Sequence, residues 1–134
     1  MTRSYMLIDE NDLDRFIVKK VIEQTDKYHF GIKTVSNAVD ALLLIEKEND
    51  ELNHTTVILL DLYMPLVNGF EFVQEFEKLP SSVCDKYLIY VLTASIDRND
   101  ISRVRSFNSV VDVIHKPLTK NKLIDVLQQM SSPL

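Results

Sequence analysis

The chain has 134 residues, 46% of them hydrophobic and 26% charged, and its 15 Lys and Arg against 20 Asp and Glu give a formal net charge of −5. That profile suits one soluble globular domain with its own core, and the mild acidity argues against a surface built to track nucleic-acid phosphates. Cys84 is the only cysteine, so no internal disulfide can form, and no apolar run approaches the ~20 residues of a membrane span; both point to the cytoplasm and away from the membrane.

In chain order, Met1-Thr2-Arg3-Ser4-Tyr5 leads into an apolar run too short for a signal peptide. Tyr5–Ile8 reads as the first strand, followed by a helix whose i, i+4 stripe is Leu13, Ile17 and Val21, joined by Phe16 and capped by Asp12 or Asn11. Phe30–Val35 is the second strand; Ala38, Ala41, Leu42 and Ile45 mark the next helix, capped by Ser36 or Asn37, and Glu46 to Glu51 reads as its solvated end. Val57–Leu60 is the third strand, with Phe70, Val73 and Phe76 on a third helix. Residues 79–86 then read as a long loop. Tyr87–Leu92 is the fourth strand, Ile101, Val104 and Arg105 a weaker helical stripe behind Asp97 or Asn99, and Val110–Ile114 the fifth strand. Leu123, Ile124 and Leu127 mark the last helix before a frayed end over 130–134. Strand and helix thus alternate five times. Several strands are continuously apolar, as parallel strands covered on both faces are, so the fold class is α/β with right-handed crossovers.

The polar residues at the strand ends carry the functional reading. Asp9 and Glu10 follow the first strand, Asp61 the third, Thr93 the fourth, and Lys116 the fifth after His115. In an open α/β sheet, ligands bind in the crevice at the carboxyl ends of the strands. Three carboxylates brought together there repel unless they share protons or a cation. Lys116 offsets one charge, and the remaining two match one Mg²⁺ or Mn²⁺, which hard oxygen ligands suit better than zinc. An aspartate beside such an ion and a lysine is placed to attack a phosphoryl group. Gly31 and Gly69 are the only glycines, which excludes glycine-loop nucleotide cradles. His29, His54 and His115 have no ligand spacing, and Cys84 has no partner base, so all four read as structural or surface residues.

Leu7-Ile8-Asp9-Glu10-Asn11-Asp12, the block from Asp61 through Met64-Pro65 to Asn68-Gly69, the Thr93-Ala94 step and Lys116-Pro117 together resemble the CheY-like receiver domain of two-component response regulators. The resemblance implies a five-stranded parallel sheet of order 2-1-3-4-5 with helices on both faces, one receiver domain over 1–134 (ordered core about 4–130), and no output domain in this chain. By that match Asp61 accepts a phosphoryl group from the phosphohistidine of a histidine kinase or phosphotransfer protein. Asp9, Glu10, Asp61 and the backbone carbonyl of Tyr63 hold Mg²⁺ or Mn²⁺, while Thr93 and Lys116 bind phosphoryl oxygens. The resemblance also implies a cis Lys116–Pro117 bond and a downstream target docking on the last two helices and last strand, and a homodimer is compatible with the family.

Tyr63 and Ser95 fall at the positions that tune hydrolysis in that family, and a bulky Tyr63 implies slow to moderate autodephosphorylation. Two departures stand out: Glu10 replaces the usual second aspartate, and Val113 stands where the family often has a Tyr or Phe whose ring swings inward on activation. Competing readings are a pseudo-receiver that only binds protein, against which the intact Asp9, Asp61, Thr93 and Lys116 argue, and an aspartyl-phosphate phosphatase. The latter wants a second acid two residues after its nucleophile, where this chain has Tyr63. The protein is thus expected to be a switch rather than an enzyme.

Overall fold

A computed structural model describes residues 3–48 and 54–131. The elements run β1 (Arg3–Ile8), α1 (Asp12–Thr25), β2 (His29–Val35), α2 (Ala38–Glu48), β3 (Thr55–Leu60), α3 (Gly69–Phe76), α4 (Ser81–Cys84), β4 (Tyr87–Thr93), α5 (Arg98–Arg105), β5 (Val110–His115) and α6 (Lys120–Ser131). All five strands pair in parallel in the order β2-β1-β3-β4-β5, as expected. Each strand shows one face to each of two apolar clusters. Met6, Ile8, Ile58, Leu60, Ile89 and Val91 pack under α2, α3, α4 and α5, while Tyr5, Leu7, Val57, Leu59, Tyr90 and Leu92 pack under α1 and α6. Burial on both faces is why these strands are continuously apolar. The edge strand β2, with Phe30 63% exposed, is the exception.

Helix starts follow the chemistry of short polar side chains. Asn11, Asn37 and Asp97, rather than their neighbours Asp12, Ser36 and Asn99, accept the free amides of α1, α2 and α5. Asn68 and Glu71 close a reciprocal capping box at α3, a signature the sequence carries as N-x-x-E.

Two expectations are corrected. Residues 79–86 are not a plain loop: Pro80 leads into the single turn α4, whose Val83 is buried and whose Cys84 thiol donates to the Phe76 carbonyl at 3.4 Å. The stripe of α1 is also shifted. Val18 and Ile22 face the core with Val21 partly buried beside them, whereas Leu13, Phe16 and Ile17 are 64%, 58% and 41% exposed. This helix has apolar residues on two adjacent stripes, and periodicity alone does not say which one meets the sheet. The solvated stretch 46–51 and the frayed end 130–134 lie partly outside the described residues, but α6 is still helical at 130 and 131. Among the described residues no helix is long and apolar enough to cross a membrane.

Candidate functional site

Register sets the level of every functional side chain. Val35, Ile8, Leu60, Val91 and Val113 form one rank across the whole sheet. Asp9 and Asp61 lie one residue beyond that rank, Thr93 two beyond and Lys116 three beyond, so all emerge on the carboxyl rim. Ladder bonds continue past the strand ends: the Asp9 amide donates to the Val35 carbonyl (3.1 Å), Asp61 to Ile8 (2.9 Å) and Lys116 to Thr93 (2.8 Å). These bonds fix the backbones that carry the acids and the lysine. The Lys116–Pro117 bond is cis.

Gly69 is required by close approach. Its amide donates to the Leu62 carbonyl at 2.7 Å, and a Cβ there would stand 2.8 Å from both the Asp61 carbonyl oxygen and the Leu62 Cα. Between them the loop turns through Leu66, whose φ of 71° is in the left-handed region and whose side chain is 95% exposed.

At the centre stands Lys116. Its Nζ donates to Asp9 Oδ2 at 2.9 Å and Asp14 Oδ2 at 2.9 Å and lies 3.6 Å from Asp61 Oδ1. Burial alone would lower the lysine, but hydrogen bonds to Asp14 and Asp9 and the charges of Asp61 and Asp9 push it up to about 12. Asp61 moves upward as well, to about 6. Its burial and the Asp9 charge favour the protonated acid and outweigh the attraction of Lys116 and the Tyr63 backbone amide. A carboxyl raised in this way beside an ammonium, in a small cleft lined by Asp9, Asp14, Leu59 and Leu92, is an uncomfortable charge at rest.

The remaining predicted residues are placed as follows. Thr93 is fully buried, and its Oγ1 accepts the Ser95 amide at 3.0 Å. Glu10 is exposed, and among the described residues the acids form no ready-made metal-holding group of three. Tyr63, 54% exposed, donates its phenol to Asp100 on α5, which also accepts the Ser95 hydroxyl at 2.9 Å. The oxygens that do converge, Asp9 Oδ2 and Asp61 Oδ1, already share one cationic atom, Lys116 Nζ, and all are hard donors. The donor type of these two carboxylates suits Mg²⁺ or Mn²⁺, while Glu10 does not join them in a group of three.

Sequence reasoning missed Asp14, Arg15 and Asp100. Arg15 donates to the Asp9 carbonyl and pairs with Asp12. The available signal was helical. Residues in the first turn of α1 look back to the strand end that precedes it, so an acid three residues after the Asn11 cap returns to the rim. Of the histidines, His54 Nε2 meets Ser4 Oγ at 2.9 Å and its ring lies tilted by 55° against Phe30, with centroids 4.8 Å apart.

The sequence model of the response regulator receiver domain matches residues 5–128. The chain is 27% identical over 131 residues to a probable transcriptional regulator, ycf29, of Pyropia yezoensis, covering 97% of this chain and 54% of that protein. It therefore spans about half the length of that curated relative. Among solved structures, a response regulator receiver protein of Dyadobacter fermentans superposes with a TM-score of 0.84 at 24% identity, covering 95% of this chain and 96% of that one. A two component response regulator of Cytophaga hutchinsonii gives 0.84 at 25% identity, covering 95% of each. The Mn²⁺-bound form of response regulator Rcp1 gives 0.69 at 21% identity, covering 96% of this chain and 91% of that one. A family match over nearly the whole length, on a sheet of this order, makes the chain a member of the response regulator receiver domains of two-component signalling.

Proposed function

We propose that the chain is a phosphoacceptor switch that takes a phosphoryl group from a phosphohistidine, on a histidine kinase or phosphotransfer protein, onto Asp61. The observation that carries this is the approach of the Lys116 ammonium to Asp61 at 3.6 Å with Asp9 beside it, on the carboxyl rim of a receiver-domain sheet. An Asp61 carboxylate oxygen attacks phosphorus, the new O–P bond forms as the N–P bond to imidazole breaks, and the imidazole leaves with the bonding pair. Mg²⁺ or Mn²⁺, held by Asp9, Glu10, Asp61 and the Tyr63 carbonyl, would supply charge neutralisation at the transferring oxygens.

The chain's own residues then respond. Phosphorylation adds about one negative charge to the rim. Lys116 meets a phosphoryl oxygen, and Thr93 gives up the Ser95 amide to donate to another. That movement repositions the β4–α5 segment, where Ser95 and Asp97 hold the start of α5, and so shifts the population of two conformations. The target of the switch binds the face of α5, β5 and α6. A shallow groove there is lined by Ile96, Ile101, Arg98, Arg105 and His115, with Ile96 87% exposed.

Incubation with acetyl phosphate and Mg²⁺ tests the proposal: wild type gains an acid-stable, base-labile phosphoryl group, Asp61→Asn does not, and EDTA abolishes the gain. Equal labelling of both proteins, or none of wild type, would overturn it.

A further inference from the structure

Asp14 is the carboxylate on the rim that the phosphotransfer chemistry does not use. It sits in the first turn of α1, where its amide donates to the Asn11 cap at 2.9 Å, and the Asn11 amide in turn donates to Asp9 Oδ1 at 2.9 Å. The helix start is thus tied to the end of β1, and the Asp14 side chain is held over the same cleft as Asp9 and Asp61.

The lysine has three N–H donors and three acids around it. Its contacts to Asp9 and Asp14, both 2.9 Å, are hydrogen bonds; the 3.6 Å approach to Asp61 is too long for one. Asp14 therefore anchors the ammonium in a position that stops 3.6 Å short of Asp61. We propose that Asp14 is a positioning residue that holds the Lys116 ammonium back from the phosphoacceptor, so that Lys116 must leave Asp14 to meet an incoming phosphoryl oxygen. This rests on the reading of Asp61 as the acceptor. Asp14 slows the resting protein's reaction with casual phosphodonors by holding the Lys116 ammonium 3.6 Å from Asp61. A cognate donor has to overcome that contact by its own binding.

The test is the rate of Asp61 phosphorylation by acetyl phosphate with Mg²⁺. Asp14→Asn, which keeps the shape and loses the charge, is expected to react about five- to tenfold faster, the size of one partly exposed, hydrogen-bonded ion pair. Asp14→Glu restores the slow rate. Asp14→Ala, in which no amide can substitute, should behave as Asp14→Asn does. In a Lys116→Ala background the acceleration by Asp14→Asn vanishes, because the effect runs through the lysine. An unaccelerated Asp14→Asn while wild type labels, or an acceleration undiminished without Lys116, overturns the inference alone. Failure of wild type to label at all overturns the acceptor reading, and this inference with it.

Discussion

The proposed role asks Asp61 to be a charged nucleophile in a place that penalises charge, and the conflict has a pH signature. Its folded pKa, pushed up to about 6, lies above its unfolded value near 4. The native state therefore holds the proton longer, so stability falls as pH rises from about 4 to about 6 and stays lowered above that. Asp61→Asn removes the penalty and should stabilise the metal-free protein by ~1–2 kcal/mol at pH 7 and hardly at all near pH 3.5. Urea midpoints at the two pH values decide it, and an equal gain at both contradicts the argument. Asp26 has the opposite sign. It is 2% exposed, and burial alone would raise it, but Arg3 (2.6 Å), the Tyr5 hydroxyl (2.6 Å) and the Tyr28 amide (3.2 Å) hold it below the usual carboxylate range. Its stabilisation is present above the unfolded pKa and lost as pH falls below it. Asp26→Ala leaves Arg3 and Tyr5 without their acceptor and should cost about 3 kcal/mol in chemical denaturation, because one half of a buried pair is stranded.

At the scale of elements, the segment between β3 and α3 is where shape is tightest. Gly69→Ala must push the Asp61–Leu62 backbone aside, at about 2 kcal/mol of stability, and should slow labelling of Asp61 as well. A stability loss without any change in labelling would show that the strand end absorbs the shift. Across the rim, Tyr63 leans to α5 through Asp100, which also holds Ser95, so one acid links the loops after β3 and β4. The expectation that the Tyr63 ring hinders attacking water has a direct test. Tyr63→Ala should shorten the aspartyl-phosphate lifetime several-fold, and a wild-type half-life of about a second or less would remove the reason for assigning Tyr63 that role. The groove of Ile96, Arg98 and Arg105 runs along the same helix, α5, which on the proposed reading is how a charge change at Asp61 would reach a partner.

Over the whole molecule, Val113 tests how far the switch depends on a swinging ring. It is buried in the cluster under α2–α5, level with Val91. Val113→Tyr should leave phosphorylation of Asp61 unchanged while overpacking costs ~1–3 kcal/mol, and loss of phosphorylation in a still-folded variant would refute that. Much of this architecture was legible in the sequence. Strand-end polar residues can be read because parallel strands place their last residues on one rim, and the order of Asp9, Asp61, Thr93 and Lys116 along the chain is the order of those ends. Asp14 was not legible, since its return to the rim depends on how α1 leaves β1. The inward stripe of α1 was not either, because Leu13-Phe16-Ile17 and Val18-Ile22 are equally apolar and only docking against the sheet chooses between them. The single rank from Val35 to Val113 has one more consequence. The two ends of the sheet differ in how much added chain they can absorb. Extra residues spliced at the amino rim, for instance after Tyr28 (85% exposed), leave the strands' alignment intact, whereas a single residue added within β3 would turn Asp61 to the opposite side of the layer and end the chemistry at one stroke.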